Sequence, residues 1–271
     1  MSFEGLEPVR DVGAADWIAP RLRGFGGRVH CVVPDGFAAY ARILHPAADE
    51  HGEPLSWAQV CRTTGRMAHA LMQWNSIAGV VRHTTTDNGV EVSSTTSEWR
   101  GSEPQVGDLP AGTLATVLDV LGRFTAAEDD CFFALWEGWG WLHAGSWVLF
   151  SASDDGTPGP SPLAAARLPE EVMAGPRLGL PGRNYLVFRG PLRAALRMGH
   201  QVTEDWFSPQ SPSLLWAADR SWCVGTEIDF DSTLIGGSRE LVDELLRTPG
   251  LEVWPVDPAD DLTIGGDAVN G

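Results

Sequence analysis

Apolar positions along this chain change period several times, and each change marks an element. Leu114, Val117, Leu118, Leu121 and Phe124 recur at three- and four-residue spacing, one face of a helix. Leu241, Val242, Leu245 and Leu246 do the same behind Ser238, whose hydroxyl suits a helix N-cap. Glu240 near the start and Arg247 at the end match the helix dipole, and Pro249-Gly250 stops the run. Ser56 and Gln59 form a capping box, which predicts a helix from Trp57, broken at Gly65 and resumed through Met67–Trp74. Short β-branched or aromatic runs predict strands at 28–33, 131–136, 146–150, 184–189, 221–230 and 251–256. Residues 80–86 and 90–96 flank Asp87-Asn88-Gly89, where Asn and Gly tolerate the positive φ of a tight turn, so a hairpin is expected. The stretch 37–45 is ambiguous: Phe37, Tyr40, Ala41 and Leu44 fit helical spacing, but the run also suits a strand. Gly190-Pro191 opens a short helix with Pro at its first position.

The order of these elements is mixed, without regular alternation of strand and helix. It predicts an α+β fold with largely antiparallel sheets and a few short helices. Residues 153–182 interrupt the pattern, since eleven of these thirty are Gly or Pro. Such a segment cannot hold regular structure for long and reads as a linker or a long loop. At roughly 150 residues per domain, 271 residues make one large domain or two modest ones. The composition shift places a division between an N-terminal part, 1–152, and a C-terminal part, 183–271, within what could also be a single domain.

Charge narrows the partners. Nineteen basic residues against 36 acidic give a net charge of −17, which disfavours binding to nucleic acid or to anionic lipid. No apolar run approaches the ~20 residues of a membrane span. All basic residues are arginine. A lysine-dependent phosphate loop, a Schiff-base lysine and a kinase strand lysine are therefore ruled out. Cys31, Cys61, Cys131 and Cys223 lie too far apart for a zinc motif and sit among apolar neighbours, so they read as core thiols. With no basic-then-apolar leader visible at the N-terminus, a reducing cytoplasm is the expected compartment.

Two stretches carry candidate chemistry. If 221–230 continues as a strand, Glu227, Asp229 and Asp231 project on one face, ~7 Å apart in succession. Such a row must be compensated; it could hold Mg²⁺ or Ca²⁺ through hard oxygen ligands, or be a solvated strand face. Arg220 is placed to pair with Glu227 or Asp229. The second stretch is Trp136-Glu137-Gly138-Trp139-Gly140-Trp141, in a chain of twelve tryptophans. Indole faces beside a carboxylate suit a small cationic or hydroxylated ligand, although large aromatics also pack cores. Glu137 and one acid of the 227–231 row could together supply the two carboxylates of a glycosidase. No Ser-based elbow, no paired-His metal motif and no dinucleotide fingerprint is present.

Asp229-Phe230-Asp231-Ser232-Thr233 resembles motif I of the haloacid-dehalogenase-type phosphatases, D-x-D-x-T after an apolar strand. The resemblance implies Asp229 as nucleophile and Asp231 as general acid/base. It departs from the family in three ways: Glu227 lies in the preceding strand, only 42 residues follow Asp229, and no lysine is available. The phrases VPDGFAAYARILHP, CFFALWEG and 208–223 are similar to those of an uncharacterised actinobacterial protein family, a resemblance that implies no mechanism. Two readings follow. The first is an acidic, Trp-rich binding protein for a small ligand or a basic protein partner, with Trp136, Glu137, Trp139, Trp141, Arg220 and Glu227 as binding residues and no cofactor. The second is a carboxylate-based hydrolase using Glu227, Asp229 and Asp231.

Overall fold

The computed structural model describes residues 3–87, 90–143 and 168–271. The expected strand at 146–150, the hairpin tip Asn88-Gly89 and much of the Gly/Pro-rich segment lie outside the described residues. Helices and antiparallel sheets are mixed among the described residues, and the fold is α+β as expected.

The core element is one antiparallel sheet of nine strands. In chain order these are β1 (Glu7–Pro8), β2 (Ala39–Leu44), β3 (Cys131–Trp136), β4 (Leu178–Leu180) and β5 (Arg183–Gly190). They continue with β6 (Leu214–Ala217), β7 (Cys223–Gly225), β8 (Ser232–Gly237) and β9 (Val253–Val256). The spatial order is β1-β5-β3-β6-β7-β8-β2-β9, with β4 beside β5. Strands from 1–152 and from 183–271 thus interleave: β3 pairs with β5 and β6, and β2 pairs with β8 and β9.

Both faces of the sheet are covered, which is why CFFALW is apolar throughout instead of alternating. Phe133 and Leu135 face one layer, together with Ile43, Phe188 and Leu215. That layer contains α2 (Ala111–Gly122) and α3 (Arg239–Arg247), which bury Leu114, Val117, Leu118, Leu121, Leu241 and Leu245. Phe132 and Trp216 face the opposite side, their rings stacked 5.4 Å apart. There the N-terminal segment covers them with Trp17, Ile18 and Val29, and Tyr40 of β2 joins the same layer. A third, smaller core lies around α1 (Trp57–Thr64), where Trp57, Val60, Met72, Trp74 and Ile77 are buried. The expected hairpin forms from Val81–Asp87 and Val90–Thr96.

Three expectations are corrected and one open alternative is resolved. Residues 28–33 do not make a strand: Val29–Val32 form one helical turn. Its backbone has no sheet partner; the N–H groups of Val29 and His30 donate to Asp260 and Pro258 carbonyls instead. The ambiguous 37–45 run is strand β2, one strand in from the sheet edge and paired on both sides by β8 and β9. Helix does not resume at Met67; after Gly65, whose φ of +71° caps α1, only Trp74–Ile77 turns helical. The run 221–230 is strand only at β7, three residues long. Beyond Gly225 the chain turns, with the Phe230 N–H donating to the Glu227 carbonyl at 3.0 Å.

Among the described residues the four cysteines are free thiols, and Cys61, Cys131 and Cys223 are buried as core residues. Burial raises the Cys61 thiol to about 11 and Cys131 to about 12, far from the thiolate state a nucleophile requires.

Candidate functional site

The turn after β7 dissolves the row of three acids, because period-two projection holds only on extended backbone. Glu227 and Asp229 are gathered by Arg183 of β5. Its Nε donates to Glu227 Oε1 at 2.9 Å, and Nη2 donates to both Glu227 and Asp229, the latter at 2.8 Å. The Arg183 guanidinium also lies 5.3 Å from the Trp136 ring centre and 5.1 Å from that of Phe25. Asp231 instead faces Arg42, 3.6 Å away. Burial raises the Asp231 carboxyl pKa, and the nearby Arg42 charge works against that. Among the described residues, no three His, Cys, Asp or Glu side chains stand together where they could hold a metal ion.

Arg42 is the least expected residue of the site. It sits within the apolar strand β2 and is 1% exposed. Its Nε donates to Ser232 Oγ at 3.0 Å, and Nη1 donates to the Ala70 and Met72 carbonyls at 3.0 and 2.9 Å. Trp57 lies against its guanidinium, 5.6 Å from ring centre to Cζ. Burial lowers its pKa to about 10, so it keeps its charge at neutral pH. Next to it His45 is fully buried, with Nδ1 2.6 Å from the Gln105 carbonyl and Nε2 2.9 Å from Thr233 Oγ1. The carbonyl contact requires a proton on Nδ1, so neutral His45 accepts from Thr233.

The tryptophan cluster stays partly together, Trp136 and Trp139 meeting edge to face with ring centres 5.7 Å apart, and its rings enter the packing. Trp136 packs on one face of the sheet, whereas Trp139 and Trp141 pack against the other. Trp141 stacks on His200 at 5.1 Å. Glu137 accepts from Arg177 Nε at 2.8 Å and Asn184 Nδ2 at 3.0 Å. The Asn184 bond first, then Arg177, outweighs burial and holds the Glu137 carboxyl below the usual range. Glu137 and Glu227 are bound by adjacent residues of β5, Asn184 and Arg183, which project to opposite faces. They do not confront each other across one cavity. Arg220 lies 5.7 Å from the Trp17 ring centre at a turn with φ +57°, and the arginine that meets Glu227 is Arg183.

What the structure does bring together is Asp229 and Asp231 in a cleft of about 280 Å³. Glu103, Val106, Trp74 and Ile264 share its lining, with Gln73, Asn75 and Thr263 adding neutral polar groups. Three chain segments distant in sequence thus converge on the 229–231 turn. A larger, mainly apolar cavity of about 690 Å³ lies at the sheet edge between Leu6, Val172 and Phe188. It contains none of the candidate acids, and its wall includes Leu168, where the described chain resumes. The phosphatase-like pentapeptide runs from the turn after β7 into the first two residues of β8, instead of following directly on an apolar strand.

Sequence reasoning missed Arg42, Arg183, Glu103, Val106 and Ile264. Only Arg42 left a signal: one cation inside Ala39–Leu44 demands a buried counter-charge. Comparison with protein-family models, curated proteins and solved structures finds no match, so the site is read from its own geometry.

Proposed function

We propose that this chain is a binding protein whose cleft at Asp229–Asp231 receives an organic cation. The observation that carries this reading is the charge imbalance around a concave site. The charged side chains that line it are Glu103, Asp229 and Asp231, while Arg183 and Arg42, which pair with Asp229 and Asp231, lie outside its lining. A partly enclosed cleft focuses that excess negative potential onto whatever enters it. Gln73, Asn75 and Thr263 offer hydrogen bonds to a polar group carried by the ligand.

The geometry favours binding over hydrolysis. Asp229 is engaged by Arg183 and Asp231 faces Arg42, so each carboxylate already has a cationic neighbour. A nucleophile or general base needs a lone pair directed at the substrate.

The test is calorimetric titration with acetyl-arginine N-methylamide, against the neutral isostere acetyl-citrulline N-methylamide. Saturable binding of the arginine compound is expected, weakening with added salt and falling several-fold in Glu103→Gln/Asp229→Asn. Equal binding of the two compounds, or of neither, would refute the reading.

A further inference from the structure

We propose that the cation taken up by this cleft is an arginine or lysine side chain of a basic protein partner, flanked there by apolar residues. The inference rests on the cation-binding reading above and names the class of ligand. Its starting point is the rim. Val106 and Ile264 line the cleft and are 53% and 71% exposed. Phe25 is 61% exposed and lies against Arg183, whose Nη2 holds Asp229. Two of the eight exposed large hydrophobic residues among those described therefore line one acidic opening, and a third, Phe25, lies beside it against Arg183. A small free cation fits within the cleft and gains little from apolar side chains around it. A protein surface carrying the same cation covers them.

The rim is fixed before any partner arrives. Gly107, next to Val106, has φ +72°, and a Cβ there would meet the Ile228 carbonyl oxygen at 2.4 Å. Its N–H donates to the Phe230 carbonyl at 2.8 Å, so the Val106 loop lies directly on the acidic turn. On the other side, the Leu262 N–H donates to the Gly27 carbonyl at 2.8 Å and ties the Phe25 loop to the segment bearing Ile264. Both ties spare a partner the entropy of ordering these loops. The net charge of −17 steers basic partners toward the molecule from a distance.

Calorimetry with acetyl-Leu-Arg-Leu-amide and acetyl-Gly-Arg-Gly-amide tests the inference, with acetyl-arginine N-methylamide as the reference cation. The native chain is expected to bind the leucine-flanked peptide about tenfold more tightly than the glycine-flanked one. Val106→Ser/Ile264→Ser is expected to erase that preference, the leucine-flanked peptide losing several-fold more affinity than the reference cation does. Thermal unfolding of this variant, altered only at exposed positions, verifies that it is folded. If the two peptides bind equally while the reference cation binds, the partner assignment falls and the cation site stands. If none of the three binds, both fall.

Discussion

A single arginine in the middle of an apolar strand fixes much of this site. Arg42 satisfies two carbonyls and Ser232, and its charge is answered by Asp231 across 3.6 Å. Replacing it leaves these acceptors unpaired in a dry environment. Arg42→Met is therefore expected to cost ~3 kcal/mol in urea denaturation, and a change under about 1 kcal/mol contradicts the role given to it. His45 makes the complementary case. Burial, more than any neighbour, lowers its pKa to about 4, and the Arg42 charge adds to that effect. The unfolded chain titrates it near ~6.5, so its contribution to stability is fully present above that pH. The contribution is lost as pH falls from ~6.5 through ~4, about 3 kcal/mol in all. Asp108, Asp231 and Glu252 have carboxyl pKa values raised by burial and act in the opposite direction as pH falls. The His45 share is isolated by difference: His45→Gln should flatten stability between pH 4 and 6.5 relative to the native chain. Parallel pH profiles for the two proteins contradict the assignment.

At the scale of elements, the short helix α1 owes its start to two distant pieces of chain. Ser56 and Gln59 complete the capping box, and Glu252, just before β9, accepts the Trp57 and Ala58 N–H groups. Ser56→Ala is expected to lower stability by ~1 kcal/mol, read as a shift in denaturation midpoint at unchanged slope. The capping box was legible in the sequence because it spans four neighbouring residues; the Glu252 contact was not. The same division explains the strands. CFFALW and Arg183–Gly190 read correctly because each supplies enough β-branched or aromatic residues to fill a sheet position. Val29–Val33 has the same composition but no edge to pair with, and it coils into a helical turn. The alternating acids of 226–231 fail for a related reason: Thr226 and Thr233 hydroxyls meet at 2.9 Å and reverse the chain before a longer strand forms. The acids themselves were visible as candidates. Their arginine partners were not, because Arg42 and Arg183 lie on other strands and meet the acids only once the sheet has assembled.

For the whole molecule, the large negative charge is both a cost and a means of recognition. Like charges repel in the compact state, so modest salt should raise the unfolding midpoint while weakening cation binding. A midpoint indifferent to salt would show that the surface charges are already balanced locally. No helix among the described residues is long and apolar enough to cross a membrane. The sheet interleaves both ends of the chain, so the cleft draws on residues 73–75, 103–106, 229–231 and 262–264 held by one framework. The most direct test of the account is a map of backbone amide shifts on titrating the ¹⁵N-labelled chain with acetyl-arginine N-methylamide. Saturating shifts confined to Asn75, Val106, Asp229–Asp231 and Thr263–Ile264 are predicted. Shifts centred on Trp136–Trp141, spread evenly over the surface, or absent contradict it.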